Sequence, residues 1–308
     1  MAVQWLKSLA SRPNVIIDLF SPFCLIPIDL DFIRILGKDT RPVLPLNEMG
    51  KPWLFVSPAS RGIGLALSRR LLKTTDLPVV ATARTNQDRV KDEILDGLQA
   101  DADRLRVINL DVTNEGSIAA AAEECKSAFS DSYLRLAFCI PGILFPEKSP
   151  MQVDYDDALS TFKINTLGPL MLAKHFSPLL PRKAVKVDPI DNLPSSAVLA
   201  LMSARVGSIS DNALGGWYSY RASKAAVNSI TKSVDIFLRQ RCGENAMCIA
   251  LHPGTVKTGL SEEFWSSTPK EKLFEPDFVA EKLHEVAQTV GIVGRGKCWD
   301  WQGKQIQP

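Results

Sequence analysis

Histidine is scarce in this chain, with three in 308 residues (His175, His252 and His284). The six cysteines stand at 24, 125, 139, 242, 248 and 298, and none forms a Cys-x-x-Cys pair. Ligand clusters at metal-binding spacing are missing, so no metal site is expected. The scattered cysteines do not read as a disulfide framework either, which favours a reducing compartment, the cytoplasm. An excess of charge is missing too. Lys and Arg number 36 against 34 Asp and Glu, a net charge of +2. That balance gives no footprint for a nucleic-acid partner. Long apolar runs are also missing, since none reaches the ~18 residues of a membrane span. The stretch "NVIIDLFSPFCLIPIDLDFIRIL" is broken by Pro22, Pro27 and three aspartates. Lys7 and Arg12 precede the first acidic residue, Asp18. Residues 1–50 therefore read as an N-terminal extension of unassigned role, with a mitochondrial presequence as the alternative.

What is present is an alternation. From Trp53 onward, short apolar runs ("WLFVS", "PVVATA", "LRVINLD", "LRLAFCI", "SAVLALMS", "MCIALHP") alternate with longer amphipathic ones. The longer runs include "IGLALSRRLLK", "NEGSIAAAAEECKSAF" and "YSYRASKAAVNSITKSVDIFLRQ". Runs of the first kind read as buried strands and of the second as helices. This order predicts an α/β fold: a doubly wound, Rossmann-type parallel sheet with helices on both faces, in one domain over residues 51–308. "DALSTFKINTLGPLMLAKHF" reads as two helices, or one interrupted near Asn165. The polar insert "PRKAVKVDPIDNLPSS" reads as a surface loop. Such sheets bind ligands at the carboxyl ends of their strands, so the loops there carry the candidates.

The first of these loops is "SPASRGIG", residues 57–64. Placed between the first strand and first helix, it reads as a phosphate-binding loop. Ser57, Ser60, Arg61, Gly62, Ile63 and Gly64 are the candidate contacts. Pro58 removes one N–H on the strand side of the loop and leaves the glycines near the helix in place. Strand two ends in "ATAR", with no carboxylate to hold a free ribose 2′-hydroxyl. Arg84 there, together with Arg61, suits a 2′-phosphate, so NADP(H) is the expected cofactor.

"YRASK" places Tyr220 and Lys224 four residues apart, on one face of a predicted helix. A neighbouring ammonium is expected to lower the phenol's pKa and make the pair a proton donor or acceptor. Tyr218 is the rival, but its partner four residues on is Ala222.

The motifs "SPASRGIG", "LDVT", "KINTLGPL", "SARVGSI", "YRASK" and "HPGTVKT", in that order, resemble the short-chain dehydrogenase/reductase family. The "GSI…DN…GGWYSYRASKAA" block and the "CWDWQGKQI" tail are similar to its C-factor-like and sniffer-like carbonyl reductase branch. The resemblance spans residues 53–308. It implies that Tyr220 is the catalytic acid/base and that Lys224 binds the nicotinamide ribose. Asn165 would shape its helix and hold a relay water. Asp111, or the adjacent Val112 backbone, would meet the adenine, and Gly142 would let the cofactor pass. Pro253 and Gly254 would turn the chain past the ring, and Val256 and Thr258 would contact the carboxamide. A homodimer or homotetramer is implied by the same analogy.

Three positions depart from the family pattern. Pro58 replaces the first loop glycine, and Cys139 replaces an asparagine. In "SARVG" the serine that polarises the substrate carbonyl falls at Ala204, which leaves two readings: Ser203 substitutes for it, or Tyr220 works largely alone. Losing such a donor commonly costs ~10²–10³ in rate. The function expected is an NADP(H)-dependent oxidoreductase interconverting a small-molecule carbonyl and an alcohol. The alternative is an NADP(H)-binding regulatory or scaffold protein of the same fold. Phe264 and Trp265, after "HPGTVKT", read as an apolar contribution to the pocket or as core.

Overall fold

The computed structural model describes residues 51–308, so the expectations for residues 1–50 lie outside the described residues. Strands β1 (Trp53–Ser57), β2 (Val79–Ala83), β3 (Leu105–Asn109), β4 (Leu134–Cys139), β5 (Ala197–Met202) and β6 (Ala246–His252) run parallel, in the order β3-β2-β1-β4-β5-β6. Two short strands, β7 (Thr255–Val256) and β8 (Leu273–Phe274), pair with each other outside this sheet. Strand β9 (Cys298–Asp300) continues the parallel set beside β6, and β10 (Gln305–Ile306) closes that edge antiparallel. The helices are α1 (Gly62–Thr74), α2 (Gln87–Leu95), α3 (Glu115–Ala128), α4 (Tyr155–Phe162), α5 (Gly168–Phe176), α6 (Tyr218–Cys242) and α7 (Pro276–Thr289).

A strand covered on both faces favours apolar residues at nearly every position, because its side chains alternate between the faces. Strands β1, β4 and β5 are buried at every residue. Leu54 and Val56 join a core with Leu67, Leu71, Val90 and Leu283, under α1, α2 and α7. Trp53 and Phe55 join a second core with Ile118, Phe176 and Leu238, under α3, α5 and α6. Trp53 stacks on Phe129 with centroids 4.9 Å apart, and Phe55 lies 4.1 Å from Phe176. Burying each such side chain contributes about 1.5–3 kcal/mol. This is why the strands read as solid apolar runs rather than alternating ones. The fold is the doubly wound one expected, in a single domain.

Between β1 and β4 the strand order reverses direction, which opens a crevice at the carboxyl ends of the strands. The stretch read as two helices, or one interrupted near Asn165, forms α4 and α5 joined by a π turn, Lys163–Leu167, that contains Asn165. The insert at 181–196 runs as a loop in which half of the residues are exposed. It is pinned by the buried Arg135 guanidinium, which donates to the Pro194 carbonyl at 2.6 and 3.1 Å.

Candidate active site

The loop between β1 and α1 has the form a phosphate requires. Gly62 sits at φ +54°, and a Cβ on it would come 2.9 Å from Thr258 Cγ2. A Cβ on Gly64 would stand 2.0 Å from the Pro58 carbonyl oxygen, so only glycine lets α1 rest directly on the loop. The N-cap residue, Arg61, makes no side-chain cap bond, and the first turn of α1 holds no acidic residue. No side chain competes for the leading N–H groups of the helix, which together with its dipole favour an anion there. These features fit a dinucleotide pyrophosphate. Ser60, Arg61, Gly62 and Ile63 are all at least partly exposed on this loop. The Ser57–Pro58 peptide is cis.

Ser57 does not join these contacts, which corrects the sequence reading. It is fully buried. Its hydroxyl accepts from Thr82 Oγ1 at 2.8 Å, and its carbonyl accepts from the Ile140 N–H at 2.7 Å. As a strand residue it ties β1 to β2 and β4. Arg61 and Arg84 are both exposed, on the loop after β1 and just beyond β2. At the end of β3, burial would raise the Asp111 pKa. Hydrogen bonds from the Thr113 N–H and hydroxyl, and the charges of Arg84 and Lys163, outweigh burial and hold it below the ordinary value. The Asp111 N–H is donated to Ser117 Oγ at 3.0 Å. Next to it, Val112 packs where a Cβ on Gly168 would fall, 3.3 Å away.

The other end of the crevice gathers the proton-transfer candidates. A Cβ on Gly142 would lie 3.5 Å from Leu260 Cδ1, 3.8 Å from Lys224 Nζ and 3.9 Å from Asn165 Oδ1. The end of β4, helix α6 and the π turn therefore converge on the space this glycine leaves. After β6, Pro253 leads into Gly254 at φ +76°, where a Cβ would meet Phe274 at 2.8 Å and Trp301 at 3.2 Å. Val256 is buried in β7, and the Thr258 hydroxyl donates to its carbonyl at 3.4 Å.

Tyr220 and Lys224 share a buried face of α6, with Lys224 Nζ 5.7 Å from the centre of the Tyr220 ring. Nζ donates to the Met202 carbonyl at 2.9 Å. Burial pushes the Lys224 pKa down to about 7 and the Tyr220 phenol up to about 12. The expectation that Lys224 lowers the phenol's pKa is thus reversed. Burial raises it, and burial also strips Lys224 of part of the charge that would lower it. A phenol protonated at neutral pH is ready to donate, which is the state that carbonyl reduction requires.

Asn165 is fully buried and stitches the site together. Its Oδ1 accepts from the Ile143 N–H at 2.8 Å. Its Nδ2 donates to the Ile143 carbonyl at 2.9 Å and to Ser223 Oγ at 3.2 Å. Ser223 Oγ in turn donates to the Tyr220 carbonyl at 2.7 Å. Both amide protons are used, so the side chain positions the loop after β4 against α6.

Ser203 is the second correction. Its hydroxyl lies 2.7 Å from Asn228 Oδ1 and 3.2 Å from the Lys224 carbonyl. A hydroxyl has one proton, and this one goes to an acceptor a helical turn beyond Lys224. It is not available to polarise a substrate carbonyl beside Tyr220. Ala204, one residue on, presents only a methyl group. Ser203→Ala is therefore expected to leave kcat nearly unchanged. Ala204→Ser is expected to raise it about tenfold, less than the ~10²–10³ that a fully preorganised donor supplies. Steady-state kinetics of both variants check this, and a large loss in Ser203→Ala would contradict it.

Two further residues at the site went unread in the sequence, Trp217 and Glu147. The Trp217 ring stands edge-on to Tyr220, with centroids 6.1 Å apart. The buried Glu147 carboxylate accepts from the Ser219 N–H at 3.1 Å, at the start of α6. The available signal was a tryptophan immediately before the helix that carries Tyr220 and Lys224. Phe264 does reach the site, 5.1 Å from Trp217, whereas the Trp265 indole N–H donates to Ser261 Oγ at 2.9 Å. A cavity of about 750 Å³ lies against α1, lined by Gly62, Leu65 and Arg69 and by the carboxylates of Asp92, Glu93, Asp96, Glu275 and Asp277. Its carboxylates would repel phosphate, so it is no place for a dinucleotide.

The family model for short chain dehydrogenases matches residues 53–269. The chain belongs to the short-chain dehydrogenase family. This is a family of oxidoreductases that bind nicotinamide cofactors. Our short-chain dehydrogenase is 33% identical to the C-signal protein of Myxococcus xanthus over 154 residues, which is 50% of this chain and 80% of that protein. It is 32% identical to 1-hydroxy-2-glutathionyl-2-methyl-3-butene dehydrogenase of a Rhodococcus species over 157 residues, 50% of this chain and 60% of that one. Among solved structures, the carbonyl reductase Sniffer of D. melanogaster superposes with a TM-score of 0.70 at 25% identity. The match covers 85% of this chain and 100% of that one. The NADPH-bound carbonyl reductase from chicken fatty liver does so with the same TM-score at 28% identity, over 85% and 100% of the two chains. Among the described residues, no helix is long and apolar enough to cross a membrane, and no group of His, Cys, Asp and Glu could hold a metal ion.

Proposed function

We propose that this short-chain dehydrogenase is an NADP(H)-dependent oxidoreductase that interconverts a ketone or aldehyde and an alcohol, with Tyr220 as the acid/base. The observation that carries the reading is the convergence of Lys224 and Asn165 on the gap at Gly142, with the Tyr220 ring 5.7 Å from Lys224 Nζ on the same buried face of α6. When bound, the nicotinamide supplies or takes up the hydride. The chain's own residues do the rest. Gly62, Ile63 and Gly64, with the N-terminus of α1, hold the pyrophosphate. Gly142 and the Pro253–Thr258 segment shape the nicotinamide end. Tyr220 gives its proton to the carbonyl oxygen in the reducing direction and takes it back in the other. Lys224, whose Nζ has donors beyond the one used on Met202, binds the ribose and offsets charge developing on the phenol oxygen.

Arg61 and Arg84 favour the phosphorylated dinucleotide, and the similar carbonyl reductase from chicken fatty liver is bound to NADPH in its crystal. A charge-assisted hydrogen bond contributes about 1.5–3 kcal/mol. Arg61→Ala with Arg84→Ala is therefore expected to raise the Kd for NADPH by roughly 10²-fold, with little change for NADH. Titration of the protein's binding of the two cofactors checks this. Equal losses for both would mean that the arginines do not read the 2′-phosphate.

The second reading, a cofactor-binding regulatory protein of the same fold, is favoured by one observation. Position 204 offers no hydroxyl, and that of Ser203 is committed elsewhere. NADPH oxidation against a panel of aromatic and aliphatic carbonyls separates the two. Tight NADPH binding with no turnover of any member would leave the regulatory reading standing.

A further inference from the structure

Trp217 precedes helix α6 in the left-handed region, at φ 50° and ψ 47°. A bulky side chain adopts that backbone only where its surroundings hold it there. They do so here through several bonds. The Trp217 N–H donates to the Glu147 carbonyl at 2.6 Å. The Glu147 carboxylate is buried and accepts from the Ser219 N–H at 3.1 and 3.4 Å. Arg221 Nε donates to the carbonyls of Gly215 and Gly216 at 3.0 and 2.9 Å.

The result is an indole held in one place beside the reacting group. Its ring meets that of Tyr220 edge-on, at an interplanar angle of 83° and a centroid distance of 6.1 Å. On another side it lies 5.1 Å from Phe264, in the segment that follows β7. Both Trp217 and Phe264 are only partly buried.

We propose that Trp217 is a specificity-determining residue: with Phe264 it forms an aromatic wall beside Tyr220 that receives a planar, apolar substituent of the carbonyl substrate. This rests on the reading of the protein as a carbonyl oxidoreductase. The wall selects aryl ketones and aldehydes over small aliphatic ones, because an aromatic ring gains offset-stacked or edge contacts there that a methyl group does not. Glu147 is the positioning residue that fixes the wall, through Trp217 and Ser219.

The test compares kcat/KM with NADPH for an aryl ketone and for a small aliphatic ketone, in the wild type and in Trp217→Ala, Trp217→Phe and Phe264→Ala. NADPH affinity is measured in each to establish that the fold and cofactor site persist. The wild type is expected to prefer the aryl substrate. Trp217→Ala should lose that preference by about tenfold, mainly through KM for the aryl substrate, while Trp217→Phe keeps most of it. Should Trp217→Ala fail to bind NADPH, Phe264→Ala carries the test, with the same expected loss. An aryl-to-alkyl ratio that does not move, or equal losses for both substrates, would overturn the proposal and leave a packing role for Trp217. Absence of any carbonyl turnover in the wild type would instead overturn the reading of the protein as a carbonyl oxidoreductase.

Discussion

Tyr220→Phe is expected to lower kcat for carbonyl reduction by about 10²–10⁴-fold while leaving NADPH affinity nearly unchanged. The substitution removes one oxygen from a ring that is otherwise kept. The edge-on packing against Trp217 and the burial against α6 do not depend on the hydroxyl. Among the described residues no hydrogen bond is made to that oxygen, so its loss leaves no protein group without a partner. What disappears is the proton. Since burial holds the phenol's pKa near 12, the wild-type group remains protonated across the neutral range. The rate of reduction should therefore show no loss from Tyr220 ionisation between pH 6 and about 9. Turnover that survives Tyr220→Phe would remove this residue from the mechanism.

Lys224→Met is expected to cost on the order of 10²-fold in kcat and, unlike Tyr220→Phe, to weaken NADPH binding as well. The pH dependence gives this prediction its signature. In the ligand-free protein burial holds the Lys224 pKa at about 7. A cofactor that accepts hydrogen bonds from the ammonium favours its charged form, so the pKa rises on binding. Above pH 7 binding must therefore take up a proton, and affinity falls as pH rises through that range. Below pH 7 the ammonium is already formed, and affinity is flat as far as this group is concerned. Lys224→Met removes the slope. Fluorescence titration of NADPH at pH 6, 7, 8 and 9 in both proteins measures it. A wild-type slope that persists in Lys224→Met would assign it to another group.

The architecture was legible because its physical cause lies in the chain itself. Strands sheathed on both faces must be mostly apolar, and "WLFVS", "LRLAFCI" and "AVLALM" are, with Ser57 and Arg135 as hydrogen-bonded exceptions. The helix carrying Tyr220 and Lys224 was legible from spacing, and the phosphate loop from two glycines placed between a strand and a helix. What could not be read depended on partners distant in sequence. Ser203 looked like a substitute hydroxyl until Asn228, 25 residues on, was seen to take its proton. Ser57 was legible as a strand end but also stood among the cofactor contacts, and its bonds with Thr82 and Ile140 were not visible in the sequence. The direction of the Tyr220 pKa was misread because spacing reports a neighbour's charge but not the burial of both groups. The π turn at Asn165 and the left-handed Trp217 are set by tertiary contacts, with Ile143 and Ser223 for one and Glu147 for the other.

The most direct test of the central claim follows the hydride. NADPH carrying deuterium on the transferable face of C4 is incubated with the protein and an aryl ketone, and the product is examined by mass spectrometry. The expected result is an alcohol with one deuterium at the carbinol carbon, formed by the wild type and suppressed about 10²–10⁴-fold in Tyr220→Phe. Failure to transfer deuterium to any carbonyl in the panel, from protein saturated with NADPH, would contradict the account.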